Sequence, residues 1–388
     1  MSDPDFDAIV VGGRCAGAAT AMLLARRGAR VLVVDRARRG SDTLSTHALL
    51  RPGVVQLHRW GLLPALQATG TPAITTTTFH YGAESTRITL RPVHGTHALY
   101  APRRTVLDPL LLAAAEEAGA EVLAGVAATG LVHDEHGRVR GVELNAAGQR
   151  RQVRAATTIG ADGMRSLVAD AVGAGPSPLG RSAGRCVYGY LDGVVTDGFE
   201  WFYGAGLTAG LIPTDAGQTL VFACAPVSAA SATRLPSAWP PLLELLDRAW
   251  PAGAAMASAA ATSGRLRRFR GAPAYRRPAY GPGWALVGDA GYYVDPMSSH
   301  GMSQALRDAE LLAAALTSAE PTVGLSSYEA SRDALSAPIA AAVEAIAAFD
   351  WDERTARSRV LAMTSAISDE VDALARLGEP WPGAVPAA

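Results

Sequence analysis

Residues 9 to 35 contain the feature that most restricts the fold. An apolar run from Ile9 to Val11 leads into GGRCAG (12–17), then a helical pattern from Ala18 to Arg27 closed by Gly28, then a second apolar run from Val31 to Val34 ending at Asp35. Strand, glycine turn, helix and strand in this order form a βαβ unit, whose two strands must lie parallel because a helix crosses between them. Gly12, Gly13 and Gly17 allow the chain to bend tightly and bring backbone amides close to a pyrophosphate at the helix N-terminus. Asp35, about 20 residues on, is placed to accept hydrogen bonds from a ribose. Arg14 stands where the second glycine of such a turn is usual, so its side chain either turns away from the phosphate path or contacts it. The turn alone does not distinguish FAD from NAD.

Beyond it, 41–61 reads as a loop and a helix opened by Pro52 and Gly53, and 74–93 alternates like a strand pair. Arg104 to Gly119 reads as a helix, and Glu121 to Ile159 as a β-meander turning at HDEHGR before the polar turn GADG (160–163). Cys186 to Ala225 is strand-rich and holds most of the aromatic residues. Trp284 to Val287 is a buried strand followed by GDAGYYVDPMSSHG (288–301) and a helix from Met302 to about Leu316, whose apolar positions share one face. The remainder reads as alanine-rich helix with a proline-rich frayed end.

Together with Arg104 in PRRTVLDPLLL, the segments GADGMRS (160–166) and GDAGYYVDPMSSHG resemble the group A flavoprotein monooxygenases, the aromatic-hydroxylase family related to p-hydroxybenzoate hydroxylase. Four motifs stand in family order across roughly residues 5 to 330. The resemblance implies a mixed α/β fold: a dinucleotide-binding FAD domain with an inserted β-sheet substrate domain and C-terminal helices. The expected division is 1–73, 98–180 and 281–330 for the FAD domain, 74–97 and 181–280 for the substrate domain, and 331–388 for a C-terminal helical segment. It implies FAD as cofactor, NADPH or NADH as reductant, and O2-dependent oxygenation of an aromatic or polycyclic small molecule through a flavin C4a-hydroperoxide. Asp289 would meet the ribityl chain. Pro296, Gly301 and Met302 would border the isoalloxazine, and Asp162, Arg104 and Arg51 would serve the flavin. The cofactor set is completed by Gly12, Gly13, Arg14, Cys15, Ala16, Gly17, Asp35, Arg36 and Gly288. His47, Tyr293, Pro296 and His300 are the candidate catalytic residues, the two histidines as proton donors or as satisfied structural groups.

The same segment also resembles flavin-dependent halogenases, because Tyr293, Pro296, Ser299 and Gly301 fall on their spacing. Those enzymes pass hypohalous acid to a lysine, and every basic side chain counted here is arginine, with no lysine in the chain. Their WxWxIP segment is missing too. Geranylgeranyl reductases share the FAD motifs and stand as the alternative enzyme. GDP-dissociation inhibitors share the architecture without a flavin, but a binding protein has no need of the GADG and GD segments.

A net charge of -1 gives no reason to expect nucleic acid or anionic lipid as partner, and no apolar run reaches membrane-spanning length. Three scattered cysteines, Cys15, Cys186 and Cys224, suit neither a disulfide framework nor a zinc site, so a cytoplasmic location and no metal are expected. GRSAG (180–184) has the letters of a hydrolase elbow but lacks the strand before and the helix after. His94 with His97 and His133 with His136 read as surface-loop pairs. The arginines at 265, 267, 268 and 270, with Arg276 and Arg277, suit either a cofactor phosphate or a solvated sheet edge. Tyr188, Tyr190, Trp201, Phe202 and Tyr203 read as core or as the lining of a cavity. The oligomeric state is left open.

Overall fold

The computed structural model describes residues 4–146, 148–204, 206–227, 234–258 and 260–377. The proline-rich end expected beyond 377 lies outside the described residues.

An eight-stranded sheet carries the βαβ unit. Its strands run Tyr280–Gly281, Trp284–Leu286, Gln149–Gly160, Phe6–Val11, Val31–Asp35 and Glu121–Ala124, with two further strands, Ala127–His133 and Val139–Ala146, folded back on Gln149–Gly160. The four pairings at its centre are parallel. Strands covered on both faces read as continuous apolar runs, as VLVVD does here. The expected meander is therefore shorter than its sequence range: Glu121–Ala124 pairs in parallel with Val31–Asp35, and only the strands from Ala127 onward form the antiparallel meander, turning at 133–138. Four residues bounded by glycines carry no period that separates a sheet-edge strand from the first arm of a meander.

Helix Cys15–Ala25 is buried along all but Ala16, and it packs on helix Gly301–Leu316 and on helix Arg104–Glu117. Small residues on both sides of the first contact (Ala18, Ala21, Ala309, Ala313) belong to one apolar cluster with Met22, Leu23 and Leu24. Each fully buried leucine there contributes about 1.5–3 kcal/mol.

A seven-stranded sheet, in the order Ala261–Phe269, Gly184–Asp192, Gln218–Pro226, Leu207–Pro213, Phe199–Gly204, Thr76–Tyr81 and Glu84–Thr89, is antiparallel except where Phe199–Gly204 meets Thr76–Tyr81. Alternation splits its aromatic residues. Trp201 and Tyr203 belong to the core shared with the C-terminal helices, while Phe202 stacks on Trp250 under the helix pair Trp239–Ala249 and Pro251–Ser258. Ala261–Phe269 is an edge strand, which accounts for the arginines at 265 and 268 as solvated groups. A small sheet joins Tyr292–Tyr293, Tyr275–Arg276 and Ser177–Pro178. Helices Pro321–Ala347 and Glu353–Ala375 complete the described chain. GRSAG opens a strand, and no helix follows it. Among the described residues all three cysteines are free and buried, and no helix is long and apolar enough to cross a membrane.

Candidate flavin site and adjoining cavity

Three segments distant in sequence converge at the end of the parallel sheet. Gly12 sits at φ +105, and a Cβ there would lie 2.4 Å from the Ala161 carbonyl oxygen, so the GADG turn rests directly on the first glycine turn. Gly288 sits at φ +59, and a Cβ there would lie 2.9 Å from Ala16 Cβ, so the GD segment rests on the other side. The Gly13 amide donates to Asp35 Oδ2 at 2.8 Å and the Ala37 amide to Oδ1 at 2.7 Å, which fixes Asp35 at the strand end with lone pairs to spare. Arg36 is exposed.

Arg14 is half-buried and reaches toward helix Arg104–Glu117. Its guanidinium lies 3.8 Å from Asp108 Oδ2 and 3.5 Å from the Asp42 carbonyl. Asp108, one turn into helix Arg104–Glu117, also accepts from Cys15 Sγ at 3.1 Å and from Arg104 Nε at 2.9 Å. Burial pushes the Cys15 thiol well up, so it is an uncharged packing group. Sequence reasoning found Arg104 and missed Asp108, the residue that fastens Cys15 and Arg104 together. An acid four residues after an arginine at a helix start is a common surface pair, and nothing in the letters shows this one to be buried.

Asp162 caps helix Leu167–Ala171 through Oδ2, at 2.7 Å from the Leu167 amide, while its Oδ1 is buried with no partner. The Asp289 carboxylate receives no hydrogen bond among the described residues. Burial lifts it to about 6, against the pull of Arg104. Helices Cys15–Ala25 and Gly301–Leu316 both start without a side-chain cap, leaving first-turn amides open. One buried acceptor, Asp162 Oδ1, and the half-buried Asp289 carboxylate, both lacking donors, together with two uncapped helix starts and a cradle of close-packed glycines, fit a group that brings hydroxyls, a pyrophosphate and an electron-accepting ring edge.

The Asp289 shift has a testable sign. A carboxylate raised to about 6 binds its proton more tightly folded than unfolded, so its contribution favours the fold at acid pH and turns unfavourable as pH rises through about 6. Asp295, whose carboxylate burial also lifts to about 6, acts in the same direction. Thermal melts of the flavin-free protein are expected to show Tm falling between pH 4 and pH 7, with a shallower fall in Asp289→Asn. An equally steep profile in that variant would discount Asp289.

A cavity of ≈ 270 Å³ lies between this cradle and the seven-stranded sheet. Its floor is Leu50, Arg51, Met297, Ser298 and Ser299. One wall is Thr77, Phe79, Ile88, Leu90, Trp201 and Tyr203 of the sheet, and the opposite wall is Met363, Ile367 and Val371 of the last helix. That helix was expected only as a C-terminal segment, although Met363, Ile367, Val371 and Leu374 recur at helical spacing. A smaller space of ≈ 20 Å³, lined in part by Pro296, adjoins it at Met297, Ser299, Trp201 and Tyr203. Ser299, at φ +51, and His47, at φ +65, are non-glycine residues in the left-handed region, the kind of backbone strain that collects at working sites.

The four candidate catalytic residues fall into different settings. Pro296 is half-buried and opens the turn Pro296–Ser298 at the smaller space. His47 is buried, its Nε2 hydrogen-bonded to the Tyr190 hydroxyl. Burial, reinforced by Arg104, Arg103 and Arg267 and only partly opposed by Asp42, holds the imidazole down at about 3, so it is neutral at ordinary pH. The Arg103 guanidinium stacks 3.9 Å over the Tyr190 ring, and Arg267 pairs with Asp42 at 2.6 Å, so this arginine of the edge strand belongs to the site. Tyr293 stacks on Tyr275 at 5.6 Å with its hydroxyl buried and unpartnered. His300 lies 2.7 Å from Glu370 of the last helix. Neither histidine lines the cavity. His94, His97, His133 and His136 are exposed, and no described group of three His, Cys, Asp or Glu could hold a metal ion.

Comparison with known proteins follows the same outline. The sequence profile of a family described as "FAD binding domain" matches residues 5–343. The probable electron transfer flavoprotein-quinone oxidoreductase YdiS of Escherichia coli is 33% identical over 184 residues, 46% of this chain and 41% of that protein. The chain spans less than half the length of such curated relatives. Among solved structures, flavin-dependent brominase Bmp2 superposes with TM-score 0.81 at 18% identity, covering 98% of this chain and 96% of that one. The structure of pqsL, a probable FAD-dependent monooxygenase from Pseudomonas aeruginosa, superposes with TM-score 0.77 at 23% identity, covering 92% and 99%. At these identities both likenesses concern the fold.

Proposed function

This chain belongs to the FAD-binding domain family, and we propose that it is an NAD(P)H- and O2-dependent monooxygenase placing one oxygen atom on an aromatic or polycyclic small molecule. The observation that carries the reading is the largely apolar cavity, open on one side, whose floor, Met297 to Ser299, is continuous with the GD segment of the flavin cradle. Support also comes from the four family motifs converging on one site. The division into an FAD-binding part (1–73, 98–180, 281–330), a substrate part (74–97, 181–280) and a helical segment from 331 belongs to the same proposal.

In this reading Asp289 and Asp162 accept hydrogen bonds from the cofactor's hydroxyls, and Arg104, held by Asp108, offsets the charge of Asp289. Bound FAD supplies the two-electron chemistry with NAD(P)H and with O2. The protein supplies a largely apolar space for the substrate body, first-turn amides of helix Gly301–Leu316 that favour negative charge at their N-terminus, and a neutral His47 that holds its proton rather than releasing it as an imidazolium. No side chain needs to bond covalently to substrate.

The test is turnover under ¹⁸O2 with NADH or NADPH across two-ring and larger aromatic substrates. One labelled oxygen per product, with one reductant consumed, is the expected outcome. The match to a quinone oxidoreductase favours a second reading, electron transfer without oxygen transfer, as in the geranylgeranyl reductases. Reductant consumption with an unlabelled, reduced product would establish that alternative instead.

A further inference from the structure

We infer that the cavity takes an organic anion, a mainly apolar molecule carrying one carboxylate or ionised phenol, and that Arg51 is the residue selecting that charge. The inference rests on the reading of this cavity as the substrate site.

Arg51 is the only charged side chain among the described residues lining the cavity. It makes no ion pair among the described residues. One guanidinium nitrogen donates to the Arg91 carbonyl at 3.0 Å, and the rest of its donors have no protein acceptor. Half-burial disfavours its charge, and nothing local offsets that cost. On the facing helix Glu370 is engaged with Arg307 and His300 and Asp372 with His94, while the exposed Asp369 and Glu353 make no ion pair with Arg51. An uncompensated cation at the edge of an apolar space makes the potential there positive, and that favours an anionic ligand over a neutral one of the same shape.

Most hydroxyls of the lining are already bonded within the protein. Thr77 Oγ1 accepts from Trp201 Nε1, Thr364 donates to the Leu361 carbonyl, and Ser368 donates to the Thr364 carbonyl. Ser298 donates to the Asp295 carbonyl and accepts from the His300 amide. Two lining hydroxyls, those of Ser299 and Tyr203, have no hydrogen bond among the described residues, and Ser299 shares the floor with Arg51. The polar valences left for a ligand are therefore the Arg51 guanidinium and the Ser299 hydroxyl on the floor, and the Tyr203 hydroxyl on the sheet wall. Phe79, Leu90, Met363 and Ile367 offer only apolar surface for the body of the molecule.

The experiment is titration of the FAD-loaded protein with 2-naphthoate and with 2-naphthamide, the same ring system with and without the charge. Binding is followed by the flavin absorbance and by tryptophan fluorescence, since Trp201 lines the cavity. Naphthoate is expected to bind at least about tenfold more tightly, as one charge-assisted contact implies. Arg51→Met is expected to abolish that preference by weakening naphthoate alone, and Arg51→Lys to keep part of it. Equal binding of the two ligands, no binding of either, or a preference that survives in Arg51→Met would overturn the inference. So would loss of FAD from both variants, which would assign Arg51 to the cofactor. The titration needs neither reductant nor oxygen. Charge selection can therefore hold where ¹⁸O transfer fails, and the reverse, so the two proposals fall separately.

Discussion

Gly17→Val is expected to give a protein that purifies without its yellow colour and binds added FAD at least about 100-fold more weakly, a loss of ~2.7 kcal/mol or more. Any Cβ at residue 17 would lie 1.8 Å from the Gly12 carbonyl oxygen and 3.0 Å from Ala161 Cβ. Both neighbours belong to the cradle and the first is backbone, so relief requires the glycine turn to move away from the GADG turn. Gly13→Ala sets the scale, because its Cβ would meet Val33 Cγ1 at 3.2 Å and Asp35 Cβ at 3.4 Å, contacts a small shift can relieve. Gly301→Ala meets no protein atom within 4 Å, so any effect it has on flavin affinity reports contact with the flavin itself. Fluorescence titration of FAD into the stripped proteins measures all three. A Gly17→Val protein that retains native affinity would mean the pyrophosphate does not lie at this turn.

The parts of the fold and site legible in the sequence are those where one local rule acts alone. The first βαβ unit was readable because Gly12, Gly17 and Asp35 each answer a backbone or ribose requirement within a span of two dozen residues. Helix Arg51–Arg59 was readable because Pro52 stands in its first turn. What escaped depends on partners distant in the chain. Asp108 looks like an ordinary helix acid, and only folding brings Cys15, 93 residues away, against it. Arg267 sits among the arginines of an edge strand, yet register turns it toward Asp42 while Arg268 stays exposed. Strand register is fixed by which face is buried, and that was not known before the sheet was seen. Glu121–Ala124 was misassigned for the same reason, since its partner strand lies some ninety residues earlier.

The second large effect is expected at a place where no motif points. Arg307 and Asp308 on helix Gly301–Leu316 and Glu370 on helix Glu353–Ala375 are all buried. Arg307 binds Asp308 Oδ1 at 2.7 Å and 2.9 Å, Glu370 Oε1 at 2.8 Å and Ser336 Oγ at 2.8 Å. Burial lifts Asp308 above the usual carboxylate range despite Arg307. At Glu370 burial acts in the same direction, but His300 and Arg307 outweigh it and hold the carboxylate low. Arg307→Met keeps the apolar stem and removes the charge, leaving two buried carboxylates, of which only Glu370 retains a histidine, His300, beside it. The expected loss is about 3–5 kcal/mol, read as a lower midpoint in urea. Adding Asp308→Asn and Glu370→Gln is expected to recover most of it, because the cost comes from unpaired charge rather than lost packing. A single variant within about 1 kcal/mol of the parent would refute the assignment. The consequence for function follows from position. One helix of this pair presents its uncapped N-terminus to the flavin cradle and the other forms a wall of the cavity, so the Arg307 cluster ties the cavity wall to the helix that starts at the cradle. Arg307→Met should therefore weaken naphthoate and naphthamide alike, unlike Arg51→Met, which should separate them.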